Sequence, residues 1–561
     1  MSGPKQTRML VRVVPSWTEP LVAKASPLIG GPLGAHAVIG RARYWTPLRV
    51  ILAMAVLTCA LGWLFKAPCL QQFQAGDGKL ALDWRGNHQY VSLCYTDIVT
   101  LWTDHHLAAG ELPYTAHWVD GAGTADQHVR YMDYPVVTGY GLWVLAKLTN
   151  RYLGLANSLG VSGPSIVQPS KLPVALPEVV FFDIVAVTMV LAWLAVVWSV
   201  HRQRPSRPWD AALVAISPVL AFHIFTGVDA WAVGLAALGM CALARGRPVG
   251  AGVLIGLGCA AKVYPVLILL PILLVAWRRS RREGSSAVRL GEWDGAREWT
   301  VAARVAGAAA LAWTAVNLPV ALFQTPGWLE FVRYGVSRRV EPDSVWFALS
   351  SFTGWPGFDG VLAPGQSPVR LDLVAIGCFA LCCGGLVVLA AKAPRPPRLA
   401  SLSFLVVGAA LLVSKAPNPQ FALWLVPLAV LALPRWRLLL TWMGVEAALW
   451  PLRMYFYVGQ DNKGLPEQAY ETAVLIRDAV LLVLIVLVVR SVLRPDTDPL
   501  RRLGVDDPDW PAPPAAAGGT PPAEPEGAAE PEGAAEPAAG AAEVTRSESA
   551  APGPDRPGHP A

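Results

Sequence analysis

Long apolar runs separated by short polar or basic joints organise this chain of 561 residues. The runs fall at 46–65, 178–200, 209–226, 230–244, 249–261, 263–277, 299–323, 371–391, 399–414, 421–433, 438–450 and 472–492. They predict about twelve membrane spans on the criterion of roughly twenty apolar residues, loosened for the shorter runs, which need pairing or tilt. One further apolar stretch, 134–148, does not fit the count, because a full crossing there would reverse the side of every later joint. It is expected to be a membrane-surface or re-entrant helix. Arginines crowd alternate joints, at Arg41 and Arg43, 202–207, Arg245 and Arg247, 278–282, 395–398, Arg435 and Arg437, and 494–502. All fall on one side of the expected topology, which the positive-inside rule makes the cytoplasm. The remaining joints, led by the long polar loop 66–133, then face outward.

Composition agrees. Hydrophobic residues make up 54% and charged residues 15% of the chain, far fewer charges than the usual quarter of a soluble protein. The expected class is an all-α polytopic membrane protein in the cell membrane. The net charge of +6 is spread over the joints instead of forming a stripe, so nucleic acid is not an expected partner. Residues 1–45 read as a basic cytoplasmic arm with no compact apolar signal region, and 46–493 as the transmembrane domain. From 494 to 561 the chain turns rich in Pro, Ala, Gly and Glu and reads as a disordered cytoplasmic tail, unable to bury enough surface to offset chain entropy. Of the eight cysteines, Cys69 and Cys94 both lie in the first external loop. They are either a disulfide that pins the segment before Asp97 or two free thiols.

The outer joints gather the residues suited to chemistry. Asp97 lies in the first loop, and Lys262, Arg333, Arg338, Arg339 and Lys415 lie in later ones. Hydrolysis of a glycosidic bond needs two carboxylates, because the leaving alkoxide must be protonated. A sugar on a phosphate already has a good leaving group, so one base for the acceptor hydroxyl and fixed cations for the phosphate suffice. Asp97 is the candidate base. The five cations are candidate phosphate partners, Arg by bidentate contact and Lys as a point charge, although Lys262 and Lys415 also suit snorkelling to the interface. Asp104, His105, His106 and His117 form either a metal cluster or a solvated polar group; no metal or other cofactor is expected. Glu178 and Asp183 sit at the outer end of a span, where they are positioned to line the site, while Glu446 is expected in a structural pair. Trp63, Trp328, Trp346 and Trp450 read as an interface belt.

These motifs, in order, resemble a GT-C superfamily glycosyltransferase of the family 87 type, similar to polyprenyl-phosphomannose-dependent mannosyltransferases. The resemblance rests on Tyr95-Thr96-Asp97, Gly110-Glu111-Leu112-Pro113-Tyr114, Tyr134-Pro135, Leu176-Pro177-Glu178, Gly227-Val228-Asp229, Lys262-Val263-Tyr264-Pro265 and Ser414-Lys415-Ala416-Pro417-Asn418-Pro419-Gln420. It implies a GT-C-like bundle with Asp97 as the catalytic acidic residue, Lys262 at the top of a helical hairpin, and Tyr95, Tyr134, Asp229 and Tyr264 in the substrate site. It further implies an inverting hexosyl- or pentosyltransferase on the external face, moving a sugar, with mannose the first expectation, from a polyprenyl-phosphate donor to a glycolipid or glycan acceptor. Two departures stand out: Tyr134-Pro135-Val136 replaces a Tyr-Pro-Pro, and Gly227-Val228-Asp229 replaces a Gly-Gln-x-Asp style turn. A flippase of lipid-linked sugars would also need many spans and cations, but should show two related halves, and the chain shows no internal repeat. A non-catalytic scaffold is a third reading.

Overall fold

The computed structural model describes residues 20–25, 44–76, 79–120, 128–158, 175–281, 295–363, 365–501 and 509–511. Nearly all of the expected arm and the tail beyond 511 lie outside the described residues.

The apolar runs form helices whose ends follow local chemistry. α1 (Pro47–Lys66) starts where the Thr46 hydroxyl accepts the Arg49 N–H at 3.4 Å, with Pro47 in the first turn, where its missing N–H costs nothing. The first loop then forms two antiparallel hairpins, β1 (Gln72–Gln74) with β2 (Leu80–Leu82) and, after the short helix α2 (Asp97–Asp104), β3 (Trp118–Asp120) with β4 (His128–Arg130). α3 (Val136–Ser158) and α4 (Pro177–Gln203) follow. The run 209–226 breaks into α5 (Ala211–Ala215) and α6 (Pro218–His223), since Pro218 has no N–H to continue the first helix. α7 (Asp229–Ala244), α8 (Pro248–Ala261), α9 (Leu269–Ser280) and α10 (Gly295–Phe323) come next. Two helices, α11 (Thr325–Ser337) and α12 (Val345–Thr353), occupy the long joint 324–366. The chain ends in α13 (Val369–Lys392), α14 (Leu399–Val413), α15 (Ala422–Ala432), α16 (Trp436–Val458) and α17 (Glu467–Leu493).

The protein is an all-α membrane protein. Five stretches are long and apolar enough to cross a bilayer: Pro47–Leu70, Pro177–Gln203, Gly295–Phe323, Val369–Lys392 and Glu467–Leu493. Four further apolar helices, Asp229–Ala244, Pro248–Ala261, Leu399–Val413 and Pro419–Ala432, fall in the range of 10–17 residues. The expected count of about twelve spans, which admitted short runs, is not confirmed: among the described residues five helices meet the full-length criterion and four apolar helices are shorter.

Close packing supports these short helices. A Cβ on Gly252 or Gly256 would lie 2.3 Å from the carbonyl oxygens of Val305 and Ala309, so only glycine lets α8 rest on the backbone of α10. α3 stays beside the first loop: Trp143 Nε1 donates to the Gly110 carbonyl at 3.1 Å and Asn150 Nδ2 to that of Ala108 at 3.4 Å.

Arg-bearing joints meet at one end of the bundle. Arg398 donates to the carbonyls of Leu431 and Ala432 at 2.8 and 2.6 Å and pairs with Asp498 at 3.0 Å. Arg204 donates to the Leu431 carbonyl at 2.5 Å, and Arg207 pairs with Asp210 at 2.7 Å. Arg204, Arg207 and Arg398 are buried; two of them satisfy the unpaired carbonyls at the C-terminus of α15, where a cation also suits the helix dipole. The body continues past 493: Asp498, Leu500 and Trp510 are buried, and Trp510 Nε1 donates to Glu298. Trp450 is a correction to the expected belt. It is wholly buried, and its Nε1 donates to the Leu93 carbonyl at 2.7 Å.

Candidate active site

At the opposite end of α15, a cavity of about 700 Å³ opens among the first loop, α11 and the N-terminal side of α15. Asp97 lies in its wall. Thr96, extended and just ahead of α2, accepts the Ile98 N–H at 3.2 Å and donates its hydroxyl to the Phe225 carbonyl at 2.6 Å. The Asp97 N–H donates to the Thr226 carbonyl at 2.8 Å. The first turn of α2 is thus docked on the 225–229 turn, and Gly227 makes that approach feasible. A Cβ there would meet Gln420 Nε2 at 3.1 Å, Asp229 Oδ2 at 3.2 Å and Asp97 Oδ2 at 3.7 Å.

Gln420 Nε2 donates to Asp97 Oδ2 at 3.3 Å. Asp229, buried, accepts from Trp424 Nε1 at 2.9 Å and has Lys262 Nζ at 3.4 Å from the same oxygen. Lys262 stands just past the C-terminus of α8, its ammonium 5.6 Å from the Tyr134 ring centre and 5.3 Å from that of Phe421. Tyr264 stacks on Trp424 at 4.5 Å, and Phe421 on the same indole at 4.1 Å. Tyr134 is held through its carbonyl, which accepts the Tyr114 hydroxyl at 2.8 Å. Tyr114 is buried in a left-handed conformation (φ 68°), so the Gly110–Tyr114 motif acts as a brace beneath the cavity wall. A Cβ on Gly139 would come within 2.2 Å of that hydroxyl.

Asp97, Tyr95, Tyr134, Lys262, Tyr264 and Arg338 all line the cavity, with Asp229 immediately behind Lys262. Arg338 pairs with Glu341 at 3.2 Å and donates to Asn418 Oδ1 at 3.3 Å. Three of the sequence candidates are not among the lining residues. Arg333 pairs with Glu330 at 3.0 Å, Arg339 donates to the carbonyls of Leu362 and Ala363, and Lys415 pairs with Asp372 at 2.7 Å. Arg333 satisfies a partner one turn away, Arg339 two loop carbonyls beyond α12, and Lys415 a carboxylate on α13. Glu178 and Asp183 are not on the wall either; Asp183 accepts from Trp63 Nε1 at 2.9 Å. Glu446 accepts from Trp442 Nε1 at 3.0 Å. The loop histidines are separately engaged: His105 bonds Asp133 at 2.7 Å, His106 packs on Trp118 and His117 on Tyr131. Among the described residues no group of three or more His, Cys, Asp or Glu side chains is arranged to hold a metal ion.

Sequence reading missed Arg453, Gln420 and Lys66. Arg453 lines the cavity and pairs with Asp343 at 2.9 Å. Buried Lys66 donates to the Tyr95 carbonyl at 2.7 Å and to Thr226 Oγ1 at 3.1 Å, joining the first loop to the 225–229 turn. Cys69 and Cys94 form a disulfide with Cα atoms 5.5 Å apart, fastening the residues just before Tyr95 to the end of α1. An arginine at the outer edge of an apolar run was the available signal for Arg453.

Burial and neighbouring charges act on Asp97 in opposite directions. Burial raises its pKa above the ordinary carboxylate range, opposed by the Tyr95 hydrogen bond and by the charges of Arg453 and Lys262. The carboxylate borders the cavity, so water there moderates the rise. A carboxylate in this state is a stronger base than a solvated one. A base works only when ionised, so a base role for Asp97 predicts turnover that falls as pH drops through its pKa. Tyr95→Phe removes a hydrogen bond that favours the ionised form and should move the acid limb of kcat/KM to higher pH; an unmoved limb means the limb reports another group.

No curated protein matches the chain. The Leu176-Pro177-Glu178 motif and the lining residues Lys262, Tyr264 and Arg338 lie within the segment that matches a family model, while Asp97, Gln420 and Arg453 flank it. That match, to glycosyltransferase family 87 over residues 169–414, bears out the resemblance over that segment and indicates a glycosyltransferase.

Proposed function

We propose that the cavity transfers a sugar, mannose first among the candidates, from a polyprenyl-phosphate donor to a hydroxyl of a glycolipid or glycan on the external face of the membrane. The observation that carries this reading is the carboxylate of Asp97 sharing one cavity with Lys262, Arg338 and Arg453, while the second lining carboxylate, Asp133, is taken up by His105 at 2.7 Å. Asp97 takes the proton of the acceptor hydroxyl. The acceptor oxygen attacks the anomeric carbon from the side opposite the phosphate, the carbon–oxygen bond to phosphate breaks, and its electron pair leaves on the phosphate, inverting the configuration. Fixed cations hold the charge that accumulates there.

A lipid donor needs a route from the bilayer. Gly335, Ala410 and Ser414 line both the cavity and an adjoining open groove of about 510 Å³ whose other walls include Leu373, Ile376, Phe379 and Val413 together with the Asp372–Lys415 ion pair. Such a largely apolar side passage suits an isoprenoid chain, each buried methylene adding roughly 0.8 kcal/mol. Both chain termini and the Arg-rich end would then face the cytoplasm.

The test is to incubate the purified protein in nanodiscs with a panel of polyprenyl-phosphate sugars and follow release of polyprenyl phosphate. Release with none of them, in the presence of glycan and glycolipid acceptors, would exclude this donor class. In the same assay Lys262→Gln should lower turnover about tenfold to a hundredfold, the loss of a charge-assisted contact of roughly 1.5 to 3 kcal/mol. Gln at Arg333, Arg339 or Lys415 should cost far less, because these side chains are absent from the cavity wall. Equal losses at all four would refute the assignment of Lys262 to the phosphate.

A further inference from the structure

We propose that Arg453 is the principal phosphate-gripping residue of the donor site and that Asp343, buried behind it, is the residue that positions it. The inference rests on the glycosyl-transfer reading of the cavity and assigns its anion subsite. Three cations line the wall, and they differ in what they have left to give. Lys262 shares Asp229 with Trp424. Arg338 spends Nε on Glu341 and Nη2 on Asn418. Arg453 donates only Nε to protein, to Asp343 Oδ2 at 2.9 Å; among the described residues its Nη1 and Nη2 groups have no protein hydrogen bond. Four N–H donors in a flat fork therefore remain for a ligand, the geometry that binds two phosphate oxygens at once.

Asp343 holds that fork rigidly. It has no solvent exposure, and both carboxylate oxygens are committed, the second accepting the Tyr470 hydroxyl at 2.5 Å. Its carbonyl accepts Arg477 Nη2 at 2.6 Å. The joint before α12 is thus tied to α16 and α17 at one point, and the Tyr457 ring lies 4.9 Å from the Arg453 guanidinium carbon, setting its plane. A buried carboxylate is costly unless its partner arginine stays in place, so Arg453 is oriented before any ligand arrives.

The probe is farnesyl phosphate, with farnesol as its uncharged counterpart, titrated into the full-length protein in nanodiscs while the melting temperature of each variant is followed. Arg453→Gln should weaken farnesyl phosphate binding about tenfold to a hundredfold and leave farnesol unchanged. Arg453→Lys, which keeps the charge but loses the fork, should fall between. Asp343→Asn should weaken farnesyl phosphate about tenfold and raise the KM for the lipid donor more than it lowers kcat. Tyr470→Phe keeps the ion pair and should show a smaller loss in the same direction, which carries the test if Arg453→Gln or Asp343→Asn does not fold. Unchanged farnesyl phosphate affinity in the two Arg453 variants, with affinity lost in Lys262→Gln, would overturn the Arg453 assignment and leave the donor reading standing. A lower melting temperature with unchanged affinity in Asp343→Asn and Tyr470→Phe would make Asp343 purely structural. Equal wild-type affinity for farnesol and farnesyl phosphate would overturn the phosphate subsite and the donor reading together.

Discussion

Asp97→Asn should reduce sugar transfer by about a hundredfold to ten-thousandfold, the range spanned by loss of a positioned general base. The amide keeps the shape of the side chain, but it cannot accept the acceptor's proton. Backbone contacts should survive, because the Asp97 N–H to Thr226 and the Thr96 hydroxyl to Phe225 do not involve the carboxylate. Donor affinity should change little, since phosphate and lipid chain are assigned to other groups. The measurement pairs transfer of labelled sugar with binding of the polyprenyl-phosphate donor in wild type and variant. Undiminished transfer would remove Asp97 from the base role. Donor movement across the membrane without any transfer, in the wild type, would favour a flippase instead.

Reduction of the Cys69–Cys94 bridge should cripple the same step from a distance. The bridge joins cysteines 25 residues apart, and freeing a loop of that length releases roughly 3 to 4 kcal/mol of chain entropy to the unfolded state in the loop-closure account. Cys94 lies three residues before Asp97, and the intervening Tyr95 supplies both the hydroxyl that stabilises the ionised carboxylate and the carbonyl held by Lys66. Loosening this segment should lower turnover by more than about tenfold, as misplacement near the reacting atoms commonly does. Dithiothreitol should therefore inhibit wild type, whereas a Cys69→Ser/Cys94→Ser double variant should begin at the reduced rate and show no further response. A reductant-insensitive wild type would separate the bridge from the site.

Much of the architecture was readable in one dimension. Apolar runs bounded by arginines report a membrane protein because desolvated backbone must bond within its own segment, and the sidedness of the arginines is a property of their order along the chain. Helix ends at Thr46, Thr96 and Pro218 follow local capping and proline chemistry that the hydrophobic runs did not mark. Full-length crossings were less readable: run length is blind to a proline that divides 209–226 into α5 and α6, or to glycines that let α8 lie against α10.

The site divides in the same way. By itself the sequence determined the residue types on which the proposed reaction rests, a carboxylate in the first long polar loop and cations in later joints, and the segment 169–414 that matches glycosyltransferase family 87. Which cations meet the carboxylate was decided only by the tertiary structure. Lys415 and Arg338 look alike on paper, yet one is absorbed by Asp372 and the other reaches the cavity. Gln420 bonds Asp97 across 323 positions, and Arg453 takes its orientation from Asp343 across 110. Contacts at such separations arise from how whole helices pack, and no local periodicity encodes them.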